Sequence, residues 1–237
     1  MTHATYTERR AEIQTYFDRT AVQAWARLTS QAPVGRIRAS VRAGRDRMRE
    51  TLLSWLPDDL GGARLLDAGC GTGALAVQAA LRGAQVVAID LSPTLVDLAR
   101  ERQPQELLSG HSRGSIDFRA GDMLDPALGR FDYIVGMDSL IHYRAEDAVG
   151  VLATLALRAE RSMLVTFAPS NPALVAMRAV GRMFPSANRA PWIEPVAEQA
   201  LHRKLANEPR MAAWTPARTE RIASGFYTSQ ALELVKR

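Results

Sequence analysis

One cysteine, Cys70, stands in the 237-residue chain, which excludes a disulfide framework and a cysteine metal cluster. The four histidines, at positions 3, 111, 142 and 202, do not fall at spacings that bring two or three donors onto one ion, so no metal site is expected. Few aromatics sit among the arginines, no lysine-rich run occurs, and 30 basic residues are nearly balanced by 25 acidic ones. Those shortages argue against nucleic acid as a partner although the pI is near 9.9. The N-terminus lacks the apolar core of a signal peptide, and no apolar run approaches membrane-spanning length. Repeats and low-complexity segments are missing too. A cytoplasmic protein of one full domain plus an embellishment is the expectation for a chain of this length that is 47% hydrophobic.

What is present centres on Leu65-Leu-Asp-Ala-Gly-Cys-Gly-Thr-Gly-Ala-Leu75. An apolar run ends in Asp67, glycines follow at 69, 71 and 73, and a helix-like Ala/Leu run begins. A second apolar run, Val86-Val-Ala-Ile89, ends in Asp90. This reads as strand, tight turn, helix, and a second strand presenting a carboxylate. Glycine lets a backbone lie directly against a ligand, and an acid at the tip of the second strand accepts hydrogen bonds from ribose hydroxyls. A dinucleotide site wants G-x-G-x-x-G and a helix N-terminus aimed at pyrophosphate. Here the glycines alternate and a carboxylate lies beside the loop, which repels a diphosphate and suits a cationic ligand. S-adenosylmethionine has a ribose, a sulfonium and an ammonium, and no phosphate. The chain resembles a class I S-adenosylmethionine-dependent methyltransferase. Asp67, Gly69, Gly71, Gly73, Asp90 and its neighbour Leu91 are the candidate cofactor contacts.

Further runs fit an alternating α/β order. Ile116–Met123 reads as a third strand ending in Asp122, Arg130–Asp138 as a fourth, and Arg161–Phe167 as a fifth. Class I resemblance gives Asp122 the adenine amino group, with Met123 beside it. Asp138 falls near the cofactor's methionine part or caps the next helix. Ser92-Pro93 marks a helix start. Thr219–Val235 reads as a Gly-centred hairpin. The expected fold is a Rossmann-like, seven-stranded, mostly parallel sheet with a C-terminal antiparallel hairpin and the ligand at the carboxyl ends of the strands.

Residues 1–60 are expected to form a helical arm over a methyltransferase domain spanning 61–237, with a cap insertion at about 172–216. The arm reads as two helices. Ile13, Tyr16, Phe17, Ala21, Trp25 and Leu28 mark the first; Ile37, Val41, Met48 and Leu52 share a face of the second, beside a stripe of Arg38, Arg42, Arg45 and Arg49. Gly44 costs that helix about 1 kcal/mol against alanine and predicts a kink or close packing. The cap segment mixes apolar residues (Met177, Met183, Phe184, Trp192) with basic ones (Arg178, Arg182, Arg189). Residues 64–170 hold ten basic and thirteen acidic groups, whereas 171–237 hold ten and five. Basic flanks around an acidic core favour an anionic substrate or an anionic membrane surface. Tyr16, Arg38, Arg42, Arg45, Arg189 and Trp192 are the candidate substrate contacts.

Three segments narrow the resemblance. Thr20-x4-Trp25-x-Arg27-Leu28 with Pro33–Arg38 and Val41–Arg45, then Phe131–Tyr143, then Ser224–Leu232 are similar to the magnesium protoporphyrin IX O-methyltransferases of (bacterio)chlorophyll biosynthesis. The Met137-Asp-Ser-Leu-Ile-His-Tyr143 block is the most specific. That resemblance implies methyl transfer from S-adenosylmethionine to one propionate of magnesium protoporphyrin IX, giving the monomethyl ester. It also brings in the porphyrin-binding subunit of a magnesium chelatase as a candidate partner, and peripheral contact with the inner or photosynthetic membrane. A carboxylate is already ionised at neutral pH, so His142 and Tyr143 are expected to position rather than to deprotonate. Two other readings share the cofactor motifs: an O-methyltransferase of a quinol or phenol, in which His142 would be a base, and a non-catalytic cofactor-binding scaffold.

Overall fold

The computed structural model describes residues 6–16, 29, 33–109, 112–170 and 193–237, with backbone alone at 6–9 and 12. Phe17 to Leu28 of the first expected helix, and the cap residues up to Trp192, including Arg189, lie outside them.

Five segments become parallel strands: β1 (Arg64–Ala68), β2 (Gln85–Asp90), β3 (Ser115–Ala120), β4 (Phe131–Gly136) and β5 (Ala159–Phe167). Parallel strands covered on both faces read as continuous rather than alternating apolar runs, as β1, β2 and β4 do. The hairpin strands β6 (Trp214–Ser224) and β7 (Tyr227–Lys236) complete the sheet, β7 running antiparallel to both β5 and β6. Strand order is β3-β2-β1-β4-β5-β7-β6. The order reverses between β1 and β4, where Asp67 pairs with Val135, and such a switch point opens a crevice at the carboxyl ends.

Helices α1 (Tyr6–Thr15) and α2 (Arg36–Ser54) precede the sheet. The crossovers are α3 (Ala74–Leu81), α4 (Pro93–Glu101), a short α5 (Gln105–Leu108), α6 (Ala145–Ala156) and α7 (Glu198–Asn207). Ser92 caps α4, its hydroxyl accepting from the Leu95 N–H at 3.2 Å. One buried cluster joins Leu66, Val87 and Ile134 to α6 and α7; the other joins Leu65, Val86 and Val135 to α2, α3 and α4.

Three expectations need adjustment. Strand β3 stops at Ala120, so Asp122 stands on the loop beyond it. Ile37 does not share the buried face of α2: it is 59% exposed, because the helix seats on the core only from Val41 onward, through Gly44, Met48, Leu52 and Leu53. The described end of the expected cap is not a separate wall either. Helix α7 buries Leu201 and Leu205 in the core beside α6, and Trp214 already belongs to β6. Gly44 gives close packing and no break in α2: a Cβ there would stand 2.4 Å from the Tyr227 ring.

Candidate active site

The turn after β1 is fastened to the end of β2. Gly69 and Cys70 donate their N–H groups to the Ile89 carbonyl at 2.8 and 3.0 Å, and Gly71 donates to the Asp90 carboxylate at 2.8 Å. The other Asp90 oxygen accepts from the Ser92 N–H at 2.9 Å. Gly69 also passes against the loop after β4, where a Cβ would lie 2.5 Å from the Ser139 Cβ. With φ of 86° it occupies the left-handed region as well, so both backbone and space require glycine.

Above this turn lies a cleft of about 890 Å³, within the range typical of small-molecule sites. Asp67, Gly69, Gly71, Asp90, Leu91, Met123, Asp138, His142 and Tyr143 line it from the strand ends; Tyr16, Arg38, Arg42 and Arg45 line it from the arm. Thirteen of the candidate residues thus line one cleft. His142 and Tyr143 are both buried, and the Tyr143 side chain is packed into the core cluster with one part facing the cleft.

Asp67 is 2% exposed, and its Oδ2 has no hydrogen-bond partner. Burial, and next the nearby charge of Asp90, push its carboxyl up to about 7, partly offset by the Ala76 N–H. The same burial, with Asp67 and Asp90 beside it, raises the Cys70 thiol well above its ordinary value and keeps it a neutral thiol. Ser139 Oγ is likewise buried without a partner. An unmet buried group costs about 1–3 kcal/mol. A ligand that is cationic and rich in donors offsets that cost here, which is the character of S-adenosylmethionine at its ammonium and sulfonium.

Asp138 anchors the opposite wall. It is the one non-glycine described residue with positive φ, 55°, a conformation aspartate tolerates better than most. Its N–H donates to Thr166 Oγ1 at 2.7 Å, and its carboxylate accepts from the Tyr227 hydroxyl at 3.1 Å and the Ser229 hydroxyl at 3.2 Å. The Arg45 guanidinium of α2 closes the group as an ion pair. Burial, then the Asp138 charge, push the Tyr227 hydroxyl far above its usual range, so it stays a donor.

Two candidates fall outside the lining. Gly73 caps α3 and backs onto Phe118, where a Cβ would come within 2.8 Å of the ring. The Asp122 carboxylate takes Arg10 of α1 at 2.5 Å and the Leu124 N–H at 2.9 Å. Tyr227, Phe226 and Arg49 line the cleft and were not among the candidates. Arg49 was legible from its place in the arginine stripe, whereas the hairpin residues depend on where a distant turn docks.

A family profile described as magnesium-protoporphyrin IX methyltransferase C-terminus matches residues 136–236, and a methyltransferase domain profile matches 65–159. The magnesium-protoporphyrin O-methyltransferase of Rhodobacter capsulatus is 48% identical over 229 residues, covering 96% of this chain and 97% of the relative. The chain belongs to the magnesium-protoporphyrin O-methyltransferase family. Its fold agrees with that of the magnesium protoporphyrin IX methyltransferase from Synechocystis PCC 6803 solved with bound SAH, at a TM-score of 0.82 and 27% identity over 96% of this chain and 100% of that one. A ubiquinone biosynthesis O-methyltransferase of Xanthomonas oryzae is 36% identical, but over 161 residues only, 66% of this chain and 62% of the relative. Family membership thus assigns the seven-stranded sheet to class I methyltransferases.

Proposed function

We propose that this chain binds S-adenosylmethionine against the β1 turn and esterifies one propionate carboxylate of magnesium protoporphyrin IX, giving the monomethyl ester. Carrying the reading is one match: 48% identity to a magnesium-protoporphyrin O-methyltransferase along essentially both full lengths. The likeness to the ubiquinone enzyme stops at two thirds of the chain, so the quinol or phenol alternative has the shared cofactor motifs and lacks the rest.

The cofactor supplies an activated methyl group. Asp90 offers carboxylate lone pairs to the ribose while its two backbone bonds hold the turn in shape. Because Gly69 carries no side chain the turn packs directly on Ser139, and the buried, unpartnered Asp67 oxygen supplies negative charge for the cofactor's positive end. Gly121 and Met123, on the loop after β3, would hold the adenine.

On the acceptor side, the exposed Arg38 makes no ion pair among the described residues and suits an anionic propionate. A bidentate arginine on the reacting carboxylate would blunt its nucleophilicity, so Arg38 holds the other propionate. His142 and Tyr143 aim the reacting one. The carboxylate needs no base, and what the enzyme supplies is in-line approach in a site shielded from water. Positioning of this kind is worth up to about 7–11 kcal/mol. Incubation with labelled S-adenosylmethionine and a panel of porphyrins tests the reading. Mass spectrometry should find one added methyl as an ester on the magnesium porphyrin; label appearing only on a quinol or phenol overturns it.

The magnesium porphyrin is largely apolar, and delivery to this cleft fits either the porphyrin-binding chelatase subunit or a membrane surface. Among the described residues no helix is long and apolar enough to cross a membrane. Arginines on the exposed end of α2 support reversible contact with an anionic bilayer, worth about 1 kcal/mol per basic residue near the surface and screened by salt. Flotation with anionic vesicles at low and high salt separates this from apolar insertion, which salt leaves unchanged.

A further inference from the structure

Four arginines of α2 line the cleft, Arg38, Arg42, Arg45 and Arg49, yet they do not sit in equivalent surroundings. Arg49 is paired along its own helix with Asp46 at 2.8 Å. Arg38 lies on the exposed end of α2, beside Ile37, at the mouth. Arg45 is two turns deeper, its side chain 19% exposed and ion-paired with Asp138, whose own side chain is 5% exposed.

Depth places Arg45 at the cofactor end. Asp138 adjoins Ser139, and Ser139 is the residue that Gly69 of the β1 turn touches. The arm is held at this level from two sides, since Gly44 backs onto the Tyr227 ring and the Tyr227 hydroxyl donates to Asp138. S-adenosylmethionine ends in an amino-acid group with a carboxylate, and this end of the cleft is otherwise acidic, with Asp67, Asp90 and Asp138. A ligand carboxylate lodged there requires a fixed cation. A guanidinium has five N–H donors in a planar fork and can serve two carboxylates at once.

We propose that Arg45, oriented by Asp138, receives the methionine carboxylate of the cofactor, and that the arginine stripe is thereby divided between cofactor (Arg45) and tetrapyrrole (Arg38). The assignment rests on the cofactor reading above. It also makes the seat of α2 part of the cofactor site, so that an occupied cleft holds the arm down more firmly than an empty one.

Calorimetry with two ligands tests it: S-adenosylhomocysteine, which carries the carboxylate, and 5′-methylthioadenosine, which keeps adenosine and sulfur but has no amino-acid group. Arg45→Gln should raise the Kd for S-adenosylhomocysteine roughly ten- to a hundred-fold, the loss expected of charged hydrogen bonds. It should leave the Kd for methylthioadenosine within about twofold. Arg45→Lys, which keeps a charge opposite Asp138, should recover part of the lost affinity. Equal weakening of both ligands would overturn the assignment by showing that Arg45 only shapes the cleft, and an unchanged Kd for S-adenosylhomocysteine would overturn it as well. If the unaltered protein bound neither ligand, the cofactor reading would fail first and take this one with it.

Discussion

Gly44 on the arm helix lies flat against the ring of Tyr227 on the closing hairpin, so close that a methyl group at 44 would stand 2.4 Å from the ring's Cδ1 and 2.9 Å from its Cβ. The ring cannot step aside easily, because it is buried and its hydroxyl is bound to Asp138. Residues 44 and 227 thus tie the arm helix to the closing hairpin beside the cleft.

Gly44→Ala is expected to destabilise despite the better helix propensity of alanine. Propensity contributes about 1 kcal/mol in its favour, while overpacking costs typically about 1–3 kcal/mol and here also strains the Tyr227–Asp138 bond. A net fall in Tm of a few degrees should appear by calorimetry, together with weaker cofactor binding. An unchanged Tm would mean that the arm rides over the hairpin without touching it.

The Gly44 contact also separates what the sequence could tell from what it could not. Local patterns named the strands, the Ser92 cap and the glycine turn, because each follows from neighbours within a few residues. Asp67, Asp90 and Asp138 were legible because acids at strand ends gather at the carboxyl edge of a parallel sheet. Tyr227 was not: its place depends on β7 inserting beside β5, a pairing between residues some 65 apart in the chain. Arg10 was missed for the same reason, since nothing local says that α1 should reach Asp122. Ile37 was misjudged because helical periodicity marks a face and not where along its length the face stops being covered.

Asp90→Ala should weaken S-adenosylmethionine binding by about ten- to a hundred-fold, since each charge-assisted hydrogen bond is worth roughly 1.5–3 kcal/mol. Part of that loss comes through the turn, because Gly71 and Ser92 lose their acceptor. Asp122→Ala should cost less, as its carboxylate already serves Arg10 and the loop. Titration calorimetry on the two variants checks the order; equal affinities for the unaltered protein and Asp90→Ala would remove the ribose assignment.

Asp67 gives the empty protein a pH dependence. Its carboxyl, at 3.8 when unperturbed, is pushed up to about 7 by burial and by Asp90. Between those two values the folded state binds more protons than the unfolded one, so the stability contribution falls as pH rises through that window and levels off above it. Asp67→Asn removes the titration and should gain Tm on the parent protein progressively between about pH 4 and 7.5. Binding of cationic S-adenosylmethionine near pH 7 should release protons from the parent and fewer from the variant, measurable in buffers of different ionisation enthalpy. A Tm difference that stays constant with pH would show Asp67 ionised throughout.

His142 decides between a carboxylate acceptor and a hydroxyl acceptor. A propionate arrives ionised, so His142→Ala should lower turnover through lost positioning by on the order of ten- to a hundred-fold, short of the upper end of the ~10²–10⁴ that removal of a general base costs. At saturating cofactor, whose positive charge keeps Asp67 ionised, turnover of the parent protein should be flat from about pH 6.5 upward. No limb near an ordinary histidine pKa of about 6.5 should be present to disappear in the variant. A hydroxyl acceptor predicts the opposite on both counts: a limb that His142→Ala abolishes, and a variant rate that recovers as pH approaches the hydroxyl's own pKa. Recovery at high pH would therefore make His142 a base and the propionate the wrong nucleophile, whereas a flat profile with methyl ester as product leaves it the task its burial beside Tyr143 suits, holding one carboxylate oxygen in line with the methyl group.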